Sequence, residues 1–274
     1  MPDISEIPPF SAETTISVIR DYYSFLTEMY LNDSDVIEPP EGGWSSITHE
    51  AFQSLGKTDE VISLLRRLPY IRETLGIIEP QASAKTCFAD WQSIAQRLDP
   101  NDPEDVDGTR ITTEDTGSGE YENVPGHVIG LTCGGRNNNI FLLDTKLNVI
   151  FWVGGSGPVK GLACREPITG YRPHDDDTPE NEANWRGDAD AWAVEDFFEV
   201  LKDNFRQLRF IPDGSRQVWD MWTEFGIGKE DVIPTVQEIY REHGWPDLGQ
   251  YRRAECIAAV RKTLLERYDM PSFD

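Results

Sequence analysis

Three short apolar runs near the middle of the chain restrict its fold most strongly. They are HVIGLTCGG, NNIFLLD and NVIFWVGG, which begin at His127, Asn138 and Asn148. Each is rich in branched and aromatic residues, and the turn-like sequences GRN and TKL separate them. The pattern predicts three adjacent antiparallel strands. Because nearly every position in the three runs is apolar, we expect both faces of this sheet to be covered.

Helical periodicity lies on both sides of the three predicted strands. Amphipathic helices precede them, and their candidate N-caps are Ser11, Thr48 and Thr58. After the strands, AVEDFFEVLKDNFRQLRFIP predicts a helix with Phe197 and Phe198 on its apolar side, and helical patterns continue beyond Pro212. We therefore predict an α+β fold, in which an antiparallel sheet is covered by helices within residues 1–212. Residues 213–274 form a helical C-terminal extension packed on or beside that domain.

Negative charge is concentrated in two stretches of the chain. The formal net charge is −24, and residues 99–123 and 174–199 together hold −17 of it, with Arg110 and Arg186 as their only basic residues. We expect 99–123 to be a long acidic loop, and a second acidic loop to follow the predicted strands. Nucleic acids and anionic membranes are polyanions that select basic surfaces, so neither is an expected partner. A basic protein partner is compatible with this charge, whereas the oligomeric state is not indicated.

The cysteines and the amino terminus indicate an intracellular chain. The four cysteines, Cys87, Cys133, Cys164 and Cys256, are far apart and show neither a disulfide framework nor a zinc spacing. MPDISEIPPF lacks the basic and apolar regions of a secretion signal. The sequence contains no apolar run of the roughly 20 residues that a membrane-spanning helix needs. We expect a cytoplasmic protein, with the nucleus as an alternative location.

The glycine-rich segment FWVGGSGPVKG, residues 151–161, raises the question of a nucleotide site. A phosphate loop needs Gly-Lys-Ser/Thr after its spacer, but Lys160 is followed by Gly161. A dinucleotide fingerprint needs a helix directly after its glycines, and no helical period follows here. The glycines are better explained by a turn that leaves a strand. No cofactor is predicted.

The sequence HDDDTPENE offers the clearest candidate for cation chemistry. Hard cations such as calcium and magnesium prefer oxygen ligands, which Asp175, Asp176 and Asp177 could supply from this loop. The EF-hand spacing of such ligands is absent. A solvated loop, a weak metal site and a docking patch all remain open, and no metal ligand is assigned. The chain has no G-x-S-x-G motif, and its histidines are scattered, so no catalytic residue is assigned either.

Seven of the eight tryptophans divide into two groups by their surroundings. Four lie in apolar patterns and are expected in the core: Trp91, Trp152, Trp219 and Trp222. Three lie beside turns or within acidic sequence and are candidate binding residues, together with Asp175, Asp176 and Asp177: Trp44, Trp185 and Trp192. The alternative is that each of these three rings folds back over the core.

The order of elements in the middle of the chain resembles a known family. The elements follow in this order: a strand, a glycine turn, a strand ending in Leu-Asp, the strand NVIFW, a loop and a helix of FxEVL type. The sequence LPYI occurs at 68–71. This order resembles the SUKH superfamily, which includes fungal Smi/Knr cell-wall-synthesis regulators and bacterial toxin-immunity proteins. PPEGGW and LGKTDEVISLLRRLPYI are also similar to segments of uncharacterised proteins of filamentous fungi. The resemblance implies a non-enzymatic protein that binds other proteins.

Two hypotheses of function follow. The first is an intracellular protein-interaction module or regulatory adaptor that uses acidic, aromatic-bearing loops. The second is a carboxylate-based hydrolase, with or without a divalent ion, whose site lies near the loop 174–190. The hydrolase hypothesis requires a deep pocket beside the strand ends that contains at least two carboxyl groups of raised pKa.

Overall fold

The chain folds as an α+β protein in a computed structural model that describes residues 2–74, 79–116, 120–134, 138–154, 157–169, 180–187 and 189–271. Its helices are α1 (Ala12–Met29), α2 (His49–Ser54), α3 (Asp59–Leu65), α4 (Trp91–Arg97), α5 (Pro103–Glu114), α6 (Gly157–Lys160), α7 (Glu180–Gly187), α8 (Val194–Arg206), α9 (Val232–Glu242) and α10 (Arg253–Tyr268). Its strands are β1 (Val36–Ile37), β2 (Tyr70–Ile71), β3 (Gln81–Ser83), β4 (Thr86–Cys87), β5 (Val128–Gly130), β6 (Ile140–Asp144), β7 (Val149–Val153), β8 (Ala189–Ala193), β9 (Phe210–Pro212) and β10 (Val218–Asp220).

The central sheet has the order β5-β6-β7-β8 and is antiparallel throughout. Leu143 of β6 opposes Ile129 of β5 on one side and Ile150 of β7 on the other. The three adjacent antiparallel strands predicted from the apolar runs are therefore present. The fourth strand, β8, comes from the acidic stretch 174–199, where a loop was expected; its residues Ala191 and Trp192 are buried against β7.

Both faces of this sheet are buried, as the continuous apolar runs predicted. On β7, Ile150 and Trp152 belong to the large core that includes α1 and α8. The alternate residues Val149, Phe151 and Val153 belong to a smaller cluster beneath α7. Side chains alternate between the two faces of a strand, so one apolar run supplies both layers.

Helix α8 packs between the sheet and α1. Its apolar stripe places Phe197 with its ring centroid 4.9 Å from that of Phe141 on β6. Phe198 lies 5.1 Å from Tyr22 of α1 by the same measure. All four rings are buried, so aromatic contacts join the sheet, α8 and α1 into one core.

The stretch 99–123 contains a helix, α5, instead of the long acidic loop predicted for it. Asp102 caps this helix by accepting a hydrogen bond from the amide of Glu104, and Pro103 occupies its first position. Acidic residues in the first turn favour a helix because they face the positive end of its dipole. At the other end, Thr113 and Glu114 are buried. A capped N-terminus and a buried C-terminal end thus order this helix, although its sequence has few apolar residues.

The glycine-rich segment leaves β7 through a turn. Gly154 has a φ of +64°, a left-handed conformation that glycine adopts without strain. One helical turn, α6, follows, although the sequence indicated no helix here. The Nζ of Lys160 donates to the carbonyl of Trp152 at 2.8 Å and lies 3.4 Å from Asp190. This lysine is therefore engaged within the fold.

The C-terminal residues contact the rest of the molecule closely. The indole of Trp245 donates to the carbonyl of Phe205 in α8 at 3.0 Å. The hydroxyl of Tyr251 donates to the carbonyl of Met29 at 2.9 Å. Buried residues of α9 and α10 belong to the same apolar core as α1 and α8. None of the helices in the described ranges is both long and apolar enough to span a membrane.

Candidate functional site

Two of the tryptophans selected as binding residues are buried. Trp185 of α7 is 2 % exposed, and its ring packs edge-on against Phe151 at 5.4 Å. Trp192 of β8 is 1 % exposed, and its indole donates to the carbonyl of Arg165 at 3.0 Å. Neither ring lies on an exposed contact surface; both fold back over the core, which was the alternative interpretation of their sequence. Both rings cover the core because α7 and β8 bring them onto the sheet. Asp175, Asp176 and Asp177 lie outside the described residues.

Trp44, the third of these tryptophans, is half-buried beside a surface groove. Its indole Nε1 donates to the carbonyl of Leu68 at 2.8 Å, and its backbone amide donates to the carbonyl of Arg66 at 2.9 Å. Its ring centroid is 6.0 Å from that of Tyr70. These contacts hold the ring in one orientation and leave part of it open to a ligand.

The groove beside this ring, the Trp44 groove, encloses about 610 Å³. Residues of β1, the end of β2 and α4 line it: Val36, Ile37, Glu38, Trp44, Arg72, Glu73, Asp90, Gln92, Ser93 and Gln96. Val36 and Ile37 of β1 contribute apolar side chains to this open groove, and α4 contributes the amides of Gln92 and Gln96 and the hydroxyl of Ser93. Such a mixture suits an extended peptide, since apolar side chains can be buried while polar groups meet its backbone.

The carboxylates of the Trp44 groove are already engaged. Glu38 pairs with Arg20 at 2.9 Å, and Glu73 pairs with Arg97 at 2.5 Å. Asp90 accepts hydrogen bonds from the amides of Ser93 at 3.1 Å and Glu73 at 3.2 Å. Burial raises the pKa of Asp90 above its ordinary value, although these hydrogen bonds oppose the shift. The groove's carboxylates therefore add little free negative charge, and its lining cation, Arg72, has no carboxylate within 4 Å in the described part of the chain.

Free negative charge begins where α4 ends. We call Asp99, Asp102, Glu104, Asp105 and Asp107 the acidic ridge; none of them lies within 4 Å of a basic nitrogen in the described part of the chain. All except Asp105 are exposed. Asp99 comes three residues after Gln96, which lines the groove. The ridge continues on α5, whose Ile111 is 45 % exposed. The amide of Asp99 donates to the carboxylate of Asp105 at 2.7 Å, so the end of α4 and the start of the ridge on α5 lie side by side.

A small inner chamber adjoins the Trp44 groove and shares Arg72, Glu73 and Asp90 with it. Glu79 lines the chamber, and burial raises its pKa, as it does for Asp90. The chamber therefore has two carboxyl groups of raised pKa, but no residue of 174–190 lines it, and the hydrolase hypothesis places its site near that loop, of which residues 174–179 and 188 lie outside the described ranges. The chamber also encloses only about 40 Å³, which is close to the space of one water molecule. A substrate does not fit between these groups, and the chamber is far smaller than an ordinary ligand pocket.

Two cysteines of this chamber are poor nucleophiles. Burial raises the pKa of Cys87 to about 12 and also raises that of Cys133. A thiol reacts through its thiolate, so a raised pKa lowers its reactivity near neutral pH. Within the described ranges, no group of three or more His, Cys, Asp or Glu side chains is arranged to hold a metal ion.

Sequence reasoning missed the polar wall that α4 contributes to the groove. Trp91 was expected in the core, and Trp91 and Ile94 of α4 are indeed buried. Gln92, Ser93 and Gln96 lie on its other side, and that helical spacing was the available signal. The acidic ridge lay within a stretch singled out for its charge, but Asp102 followed by Pro103 is also a helix-start signature.

Comparison of the chain with protein-family models, with curated proteins and with solved structures found no match.

Proposed function

We propose that this protein is a non-enzymatic interaction module that binds a basic segment of a protein partner. The contact surface comprises the Trp44 groove and the acidic ridge. The observation that carries the proposal is the position of free carboxylates directly beyond an open groove that has an ordered aromatic ring. The module acts in the cytoplasm or the nucleus, in keeping with the signals of the sequence.

The acidic ridge supplies attraction and specificity for a basic segment. Exposed carboxylates that lack a cationic neighbour retain their full charge toward a partner. Each contact of this kind contributes modestly, about 0.2–1 kcal/mol, because water and salt screen it. Several such carboxylates together accelerate the encounter with a basic protein surface and repel an acidic one. Binding should therefore weaken as the salt concentration rises.

The Trp44 groove supplies an anchor for the same segment. A fixed indole face attracts a Lys or Arg side chain through its π electrons. Little side-chain entropy is lost on binding, because Trp44 is already held by Leu68 and Arg66. The polar side of α4 then offers Gln92, Ser93 and Gln96 to the peptide backbone of the ligand.

The resemblance to the SUKH superfamily supports the same class of function. It implies a protein that uses one side of a sheet-and-helix domain to hold other proteins. Membership of that superfamily is itself part of the proposal, as is the similarity to proteins of filamentous fungi. The alternative, a carboxylate-based hydrolase with its site near the loop 174–190, has no comparable support, and residues 174–179 and 188 of that loop lie outside the described ranges.

Binding of labelled Arg/Lys-rich peptides, measured by fluorescence anisotropy, tests the proposal. A ridge variant, Asp102→Asn, Glu104→Gln, Asp105→Asn and Asp107→Asn, removes four charges while Asn retains the capping oxygen at 102. Its affinity should fall about tenfold, the sum of several exposed contacts. Trp44→Leu should weaken binding at all salt concentrations, whereas the effect of the ridge variant should shrink at high salt.

A matched control removes four exposed carboxylates elsewhere: Glu224→Gln, Glu242→Gln, Glu266→Gln and Asp269→Asn. This control should bind as tightly as the native chain. An equal loss of affinity in the control and ridge variants would mean that only net charge matters. That result, or unchanged binding by both the ridge variant and Trp44→Leu, would refute the proposed surface.

A further inference from the structure

A second groove lies on the other side of the segment that precedes Trp44. It encloses about 570 Å³ and is bordered by α1, α3 and the turn PPEGG, residues 39–43. Three arginines and one histidine line it: Arg20, Arg66, Arg67 and His49. We call it the arginine groove. It shares no lining residue with the Trp44 groove. The carboxylates Glu13 and Glu41 line it as well, so its guanidinium groups exceed its carboxylates by one, in a chain whose formal charge is −24.

Arg66 is the arginine of this groove that is available to a ligand. No carboxylate lies within 4 Å of its guanidinium in the described part of the chain; its side-chain hydrogen bond is to the carbonyl of Gly42 at 3.3 Å. A carbonyl carries no net charge, so it leaves the positive charge of Arg66 uncompensated. An anion that enters the groove can therefore gain a charged contact without breaking an ion pair.

The glycine turn holds Arg66 at the edge of the groove. The amide of Trp44 donates to the carbonyl of Arg66 at 2.9 Å, and the amide of Gly43 donates to Pro40 at 2.9 Å. A Cβ atom on Gly43 would lie 2.6 Å from the carbonyl oxygen of Arg66, and Gly43 has a φ of +83°. Only glycine allows this close approach. The Arg66 backbone and the rim of the groove are consequently fixed relative to each other.

The other two arginines add positive charge near Arg66, although each has a carboxylate partner. Arg20 directs both Nε and Nη2 to one oxygen of Glu38 at 2.9 Å. Arg67 pairs with Glu13 through Nη1, while its Nε is buried and has no hydrogen-bond partner among the described residues. A buried donor without a partner is unfavourable, but this Nε is closed to solvent, so Arg66 remains the donor that the groove presents to a ligand.

We propose that the arginine groove binds a phosphate monoester, with Arg66 as its principal ligand. A guanidinium group presents a planar fork of donors that matches phosphate oxygens. Arg20 and Arg67 already have carboxylate partners, so Arg66 supplies the uncompensated positive charge, and a phosphate offers its fork more acceptor oxygens than a single carboxylate does. The groove has room for a phosphorylated side chain with its neighbours or for a small phosphate ester. This inference does not depend on the function proposed for the Trp44 groove.

Titration of the native chain with three probes tests the proposal: a phosphoserine peptide, the same peptide with unmodified serine, and inorganic phosphate against chloride at equal ionic strength. Saturable binding of a phosphate-bearing probe is expected. Arg66→Gln should weaken that binding about tenfold or more, as expected for the loss of a charged hydrogen bond. Arg66→Lys should bind with intermediate affinity because it retains the charge and loses the fork.

Arg241→Gln is the matched control, since it removes an exposed arginine of α9 outside the groove. It should bind every probe as the native chain does. Binding of the phosphopeptide alone would identify a modified protein as the source of the phosphate, and binding of phosphate as well would extend the site to small esters. The proposal would be overturned if the phosphorylated and unmodified peptides bound with equal affinity and phosphate showed no saturable binding. Unchanged binding by Arg66→Gln would overturn it as well. Thermal unfolding of each variant verifies that it is folded.

Discussion

At the scale of single residues, a buried ion pair joins α5 to the sheet. Lys57 Nζ lies 2.5 Å from Glu114 and donates to the carbonyl of Val128 at 2.9 Å. The two side chains are 1 % and 0 % exposed. Burial lowers the pKa of Lys57, while the charge of Glu114 opposes that shift. Each charge is tolerated in the interior because the other is present, so the pair requires both of its members.

Replacement of one member should be far more damaging than replacement of both. Lys57→Met leaves the Glu114 carboxylate buried with Arg110 at 3.6 Å as its nearest cation, and should lower the free energy of unfolding by about 3–5 kcal/mol. Lys57→Met combined with Glu114→Leu should recover most of that loss. Urea unfolding at pH 7 measures both values. A double variant as unstable as the single one would contradict this account.

At the scale of an element, α5 shows how an acidic sequence forms a helix. Its first turn carries Glu104 and Asp105 of the acidic ridge, which interact favourably with the positive end of the helix dipole. Asp102 caps its amino terminus, and the buried Glu114 fixes its last turn beside Lys57. The ridge is therefore presented on an ordered helix, which positions its charges for a partner.

Loss of the cap should loosen this helix. Asp102→Ala removes the acceptor for the amide of Glu104 and should lower stability by about 1 kcal/mol, whereas Asp102→Asn should have little effect. Amide hydrogen exchange of residues 104–107 reports the local change, and urea unfolding reports the global one. If Asp102→Asn lowers stability as much as Asp102→Ala does, the charge of Asp102 rather than its capping oxygen orders the helix.

At the scale of the whole molecule, the C-terminal residues complete the core. Phe25 of α1 lies near Trp245, with ring centroids 5.8 Å apart, and Arg253 donates to the carbonyl of Leu31 at 2.6 Å. Residues from β9 to α10 thus cover surfaces of α1 and α8 that would otherwise expose large apolar side chains. Such shared burial predicts that the two parts unfold together.

Trp245→Ala tests this coupling. Removal of a 3 % exposed indole should lower the free energy of unfolding by about 3–5 kcal/mol through the cavity it leaves. Hydrogen exchange should then accelerate in the central sheet as well as in α9 and α10. Faster exchange confined to α9 and α10 would show instead that the C-terminal part opens on its own.

The sequence patterns located the elements better than they located the surface. Trp44 was selected because it follows a Pro/Gly turn, and it does line a groove. Trp185 and Trp192 were selected because acidic residues surround them, yet both are buried. Trp222 was expected in the core and is 41 % exposed. Local composition does not specify exposure, because a neighbour in space, absent from the local sequence, decides whether a ring is covered.

The sequence by itself determined the central meander, α1, α8 and the α+β class, because periodic apolar positions and capping residues act within a few residues of one another. Only the tertiary structure decided which charges are free. Arg110 and Arg186 look like isolated cations in acidic sequence, yet Arg110 lies 3.6 Å from the buried Glu114 and Arg186 lies 2.8 Å from Asp144. Arg66 and the acidic ridge remain available because no opposite charge is brought to them in the described chain. Such pairing depends on contacts distant in sequence, which the fold alone creates.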